Sequence, residues 1–109
     1  MSMPVIARFT YRIRDGRFAE FRDKLRASTD PKFDSASMPT AIHFHREALP
    51  GPRADIVILD IHYESLAAFG ARTAFEQHHP DWAAIWAPRD DAPEALLSLH
   101  ILSPFDPFA

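Results

Sequence analysis

Asp55-Ile56-Val57-Ile58-Leu59-Asp60-Ile61-His62-Tyr63 is the stretch that decides the fold. It is rich in β-branched residues and apolar on both sides at its start, the pattern of a strand buried on both faces and therefore central in a sheet. Upstream, Thr40 to Glu47 alternates as another strand, with Leu49-Pro50-Gly51-Pro52 between the two as a turn signal. Val5 to Arg12 also alternates, with Val5, Ala7, Phe9 and Tyr11 on one side and Ile6, Arg8, Thr10 and Arg12 on the other. After the turn at Asp15-Gly16, Arg17 to Ala27 sets Phe18, Phe21 and Leu25 on one helical stripe. Ser28 to Pro39 has little periodicity and reads as a loop of about a dozen residues, a length often tied to function. Downstream, Ser65 is placed to cap a helix from Leu66 to about His78, and Pro80 opens a short extra helix carrying Trp82, Ile85 and Trp86. Pro88 to Pro93 forms a further loop, and Leu96 to Leu102 is the last strand.

The order is β-α-β-β-α-β. It predicts an α+β, ferredoxin-like domain spanning residues 1–109, with a four-stranded antiparallel sheet and the helices on one face. A chain of 109 residues, 47 % of them apolar, suffices for one core but leaves much apolar surface uncovered, so a homodimer is expected. The net charge of -3 argues against nucleic acid as a partner, because the arginines between Arg8 and Arg26 are interleaved with Asp15, Glu20 and Asp23. No cysteine is present, which removes disulfides, thiolate catalysis and cysteine-held metals. The absence of a signal-like or membrane-spanning apolar run leads us to expect a cytoplasmic protein with no membrane partner. With three glycines and no phosphate-binding loop, nucleotide-dependent chemistry is not expected.

Carried across all four strands, the alternation separates two faces. One consists of Val5, Ala7, Phe9, Tyr11, Ile42, Phe44, Val57, Leu59, Ile61, Leu97, Leu99 and Ile101, and should pack under the helices against Phe18, Phe21, Leu25, Leu66 and Phe69. The other holds Arg8, Thr10, Arg12, Ala41, His43, His45, Asp60, His62, Ser98 and His100, together with Ile56, Ile58, Leu96 and Leu102. Four of the six histidines fall on this second face. Central pairing of the first and third strands should set Arg8 and Thr10 beside Asp60 and His62. The apolar residues among the polar ones suggest a cover, and a second copy of the same sheet is the expected one.

Tyr63-Glu64-Ser65-Leu66-Ala67-Ala68-Phe69, followed by His79-Pro80-Asp81-Trp82, is similar to the NIPSNAP-type run of a strand ending in an aromatic, a serine-capped helix and a Pro-acid-Trp segment. As a whole the chain resembles the dimeric α/β-barrel superfamily, which includes antibiotic-biosynthesis-type monooxygenases and NIPSNAP-like proteins. The resemblance implies two sheets packed face to face as a dimeric α/β barrel. It also implies cavities for small, often aromatic or polyketide-like molecules. Activities in such proteins include cofactor-independent oxygenation, cyclisation and isomerisation, and some members bind haem.

On this reading the polar face is expected to hold the chemistry. His62 or His45 would act as general base, Asp60 would orient it, and Arg8 would stabilise the enolate or phenolate formed. His43, His100 and Thr10 would contact substrate, and Phe33, Met38, Trp82 and Trp86 would supply apolar walls. No cofactor is needed for such a proton abstraction. The alternatives are a divalent metal held by His43, His45 and His62, since His-x-His on a strand puts two imidazoles on one side, or a dimer that binds a small ligand without catalysis.

Overall fold

The computed structural model describes residues 3–48 and 53–108, so the turn expected at Leu49-Pro50-Gly51-Pro52 lies outside the described residues. In chain order the elements are β1 (Val5–Ile13), α1 (Phe18–Ala27), a 3₁₀ turn (Pro31–Phe33), β2 (Ala41–Glu47), β3 (Arg53–Tyr63), α2 (Leu66–Gln77), α3 (Pro80–Trp86) and β4 (Glu94–Leu102). The strands form one antiparallel sheet in the order β2-β3-β1-β4, which is the ferredoxin-like arrangement, with β3 central. Among the described residues, no helix is long and apolar enough to cross a membrane.

Local chemistry sets the boundaries. Gly16 adopts a φ of 72° in the turn between β1 and α1, a conformation that glycine takes at little steric cost. Ser65 caps α2, its Oγ accepting the Ala68 N–H at 3.0 Å. In the long loop, Asp30 Oδ1 accepts the Lys32 N–H at 2.9 Å and Pro31 sits in the first turn, which nucleates the 3₁₀ turn there. That turn carries Phe33 into the interior.

The helix-side core forms two clusters. Val5, Ala7, Tyr63 and Ala68 make one, and Ile13, Phe21, Val57 and Leu59 the other, with Phe9 and Ile61 touching both. Leu66, expected in this core, is exposed instead because it lies at the start of α2 directly after its cap. Ile42 and Phe44 on β2, and Leu99 and Ile101 on β4, also stay exposed, so the helices cover mainly the two central strands.

Register corrects two expectations on the other face. Arg8 does stand opposite Asp60, but Thr10 pairs with Ile58, and His62 pairs with Ile6. Between Thr10 and Tyr11 the β1–β4 register also shifts, so Leu96 stands opposite Tyr11 on the helix side rather than on the polar face. The extra residue is a β-bulge, which strict alternation cannot register.

Candidate functional site

The polar face is organised in rows across the four strands. His43, Asp60, Arg8 and His100 form one row, and His45, Ile58, Thr10 and Ser98 form the next. At the centre, Arg8 Nε donates to Asp60 Oδ1 at 2.8 Å and Arg8 Nη2 donates to Oδ2 at 2.9 Å. This bidentate pair holds the Asp60 carboxyl below the usual carboxylate range, with His45 and His62 adding smaller contributions, and raises the Arg8 guanidinium in turn. Asp60 therefore takes Arg8 as its partner rather than orienting a histidine. His62 instead meets His43 edge to face at 5.0 Å. Among the described residues, no group of three or more His, Cys, Asp or Glu side chains could hold a metal ion, so the trio His43, His45 and His62 is not assembled as a ligand set.

The cavity lies on the opposite side of the sheet. A cavity of about 950 Å³ opens between the apolar sheet face and the helices, at the upper end of the size range of small-molecule sites. Its floor is Phe9 and Tyr11 of β1, Leu59, Ile61 and Tyr63 of β3, and Leu96 of β4. Its roof is Leu25 of α1, Phe69, Arg72, Thr73 and Glu76 of α2, and Trp82 and Trp86 of α3. Phe33 and Met38 close one side from the loop after α1. The four residues expected as apolar walls thus share one cavity. His62, His45, Asp60, Arg8, His43, His100 and Thr10 do not reach it, because the sheet stands between.

Packing rather than flexibility defines the walls. Phe33 meets Trp82 edge-on at 5.1 Å, Trp82 lies 6.4 Å from Trp86, and Tyr11 packs on Phe21 at 5.4 Å. Trp86 Nε1 donates to Ser28 Oγ at 2.8 Å, which ties α3 to the end of α1. At the same end, Lys24 Nζ meets Glu94 Oε2 at 2.7 Å and lies over the Trp86 ring at 4.8 Å.

Polar groups converge at the other end. Arg72 is buried, with its side chain 3 % exposed, and its Nε donates to Glu76 Oε2 at 2.9 Å. Nη1 donates to the carbonyl of Phe33, to Ser35 Oγ at 3.1 Å and to Met38 Sδ at 3.3 Å, fastening the loop to α2. Burial pushes the Glu76 carboxyl above its ordinary pKa, and the adjacent Arg72 opposes this. Burial also raises the Tyr63 phenol to about 12, with the Glu76 charge adding, and raises Tyr11 further with help from Glu94 and Glu76. Both phenols therefore keep their protons at neutral pH, and neither hydroxyl has a hydrogen-bond partner among the described residues. The cavity thus carries a carboxyl with raised proton affinity beside a fixed cation, with the protonated Tyr63 and Tyr11 phenols at separate points along its floor.

Sequence reasoning passed over Arg72 and Glu76. The available signal was their spacing, since Phe69, Arg72 and Glu76 fall at i, i+3 and i+7, which puts two charged residues on the apolar stripe of an amphipathic helix.

No family model matches the chain, and neither does any curated protein. Solved structures do. A NIPSNAP family protein from Agrobacterium tumefaciens matches with a TM-score of 0.66 at 23 % identity, covering 100 % of this chain and 91 % of that one. A protein proposed to be an antibiotic biosynthesis monooxygenase, from Bordetella bronchiseptica, matches with a TM-score of 0.64 at 16 % identity, covering 94 % and 98 %. A protein described as dimeric and ferredoxin-like, from an uncultured marine organism, matches with a TM-score of 0.67 at 13 % identity, covering 94 % and 95 %. The chain therefore shares its fold with these proteins.

Proposed function

We propose that the protein binds a small, ring-bearing, largely apolar molecule in the cavity between sheet and helices and removes a proton from it, with Glu76 as the acceptor. One observation carries this reading: a half-buried carboxyl with raised proton affinity lines a cavity otherwise walled mainly by aromatic and aliphatic side chains. Such a carboxyl is a stronger base than one in water, and a bound C–H acid beside a carbonyl is the chemistry it suits. The Tyr63 hydroxyl, still protonated and within the influence of the Glu76 charge, donates to the oxygen on which the enolate charge develops. These steps need only groups of the chain itself. Return of the proton at another carbon gives isomerisation, attack of the carbanion on a second carbonyl gives cyclisation, and reaction with dioxygen gives oxygenation. The histidine face is left for the pairing of two copies, sheet against sheet, as the dimeric relative suggests.

The test uses 2-tetralone, a bicyclic ketone with acidic α-protons. Both tryptophans of the chain line the cavity, so their fluorescence reports binding. Deuterium uptake by the bound ketone, followed by NMR in heavy water, should be catalysed by the wild type and lost in Glu76→Gln. Binding without catalysed exchange would reduce the reading to a non-catalytic ligand carrier, and an unchanged tryptophan signal would remove the cavity as the site.

A further inference from the structure

Arg72 is held in an unusual way for so buried a cation. Its guanidinium lies over the Phe75 ring at 4.9 Å and the Trp82 ring at 5.2 Å, so the plane of the fork is fixed. Three acceptors from the long loop take Nη1, and Glu76 takes Nε. Nη2 has no hydrogen-bond partner among the described residues. The one fully enclosed side-chain polar atom without a partner among them is His79 Nδ1, so Nη2 keeps some open area. Arg72 forms part of the cavity wall.

We infer that Arg72 Nη2 is an anion-receiving subsite of the cavity, and that the preferred ligands are apolar ring systems bearing one negatively charged oxygen. The inference rests on the cavity being the ligand site. Burial favours it: a guanidinium cannot shed its proton, so a buried one left with an unmet donor gains most from an anionic acceptor. Among the described residues its only carboxylate partner is Glu76, whose raised proton affinity makes it a poor counter-ion. A ligand oxyanion at Nη2 gives the buried guanidinium a counter-charge of its own, whatever the protonation state of Glu76. Arg72 thereby links two tasks, since the same side chain fastens Phe33 and Met38 over the cavity.

The test is calorimetric titration of the wild type at about pH 7.5, where a carboxylic acid probe is ionised. Two probes of similar shape are compared, 2-naphthoate and the uncharged 2-acetonaphthone. The naphthoate should bind about tenfold more tightly or better. In Arg72→Met this preference should fall to within roughly threefold. If that variant unfolds, the wild-type comparison decides alone. Binding of 2-acetonaphthone with no preference for the anion would overturn the anion subsite and leave the cavity reading intact. Failure of both probes to bind would overturn both.

Discussion

Arg8 and Asp60 stand directly opposite each other on the two central strands and are joined by two parallel hydrogen bonds of 2.8 and 2.9 Å. Asp60 is nearly covered, with its side chain 10 % exposed, whereas that of Arg8 is 44 % exposed, so solvent screens part of the attraction. With that discount, Arg8→Ala should cost about 1 kcal/mol. The pair also leaves a mark on pH dependence. Because the folded-state pKa of Asp60 is depressed, its stabilisation is fully present above the unfolded value of about 3.9 and is lost as pH falls through the lower folded value. Urea titrations across the acid range should show a shallower loss of stability below about pH 4 in Arg8→Ala than in the wild type.

Glu76 shifts the other way, and the sign of its contribution reverses. Its folded pKa is raised, so between the ordinary carboxylate value and the raised one the folded state holds more protons than the unfolded. Stability contributed by this group falls as pH rises through that window. Glu76→Gln retains an oxygen acceptor for Arg72 Nε and removes the titration. Stability at neutral pH should change by less than about 1 kcal/mol, or increase, while catalysed deuterium exchange disappears. A variant that unfolds at neutral pH would show that the Arg72–Glu76 ion pair is needed for the fold rather than for proton transfer.

Much of this arrangement could be read from the chain. Period-two patterns in Val5–Arg12 and Asp55–Tyr63 are enforced by burial of one face, so they specify strands and their sides. Strand order placed Arg8 and Asp60 on neighbouring strands and on one face, and the register then set them directly opposite. The bulge that turns Leu96 toward the helices left no mark, because the adjacent Leu96 and Leu97 are both apolar and read alike on either face. The site was misplaced for a related reason. Polar residues on a sheet face stand out in sequence, whereas Arg72 and Glu76 look like ordinary helix-surface charges until the helix is seen against an open space. The histidines were informative about the face and silent about the cavity.

At the end of the cavity away from Arg72, Lys24 of α1 and Glu94 of β4 form a pair whose side chains are 13 % and 8 % exposed. Breaking such a pair leaves a buried charge without its partner. Lys24→Met should therefore cost about 3 kcal/mol, and adding Glu94→Leu should recover most of it, because the double change replaces two desolvated charges with apolar contacts. Chemical denaturation of both variants checks this. If the double variant is no more stable than the single, Glu94 has interactions of its own at that end of the cavity.

Ile58 offers the sharpest test of how the histidine face is used. It lies between His45 and Thr10 in the row beside the Arg8–Asp60 pair, with Ile6 and Leu102 on the same side of the sheet. A sheet face meant for water has no need of these residues, whereas a face paired with a second copy would bury them. In a two-fold arrangement each substitution counts twice, because both copies carry it into one interface. Ile58→Asp should thus weaken association on the order of a hundredfold, about 3 kcal/mol, by placing a carboxylate from each copy in a desolvated contact. Light scattering on the eluting protein should give twice the chain mass for the wild type and the single-chain mass for the variant at micromolar concentration. Circular dichroism should remain unchanged, since Ile58 faces away from the helix-side core. A wild type that elutes as a single chain would leave this face to solvent and remove the sheet-to-sheet dimer, without touching the cavity on the other side.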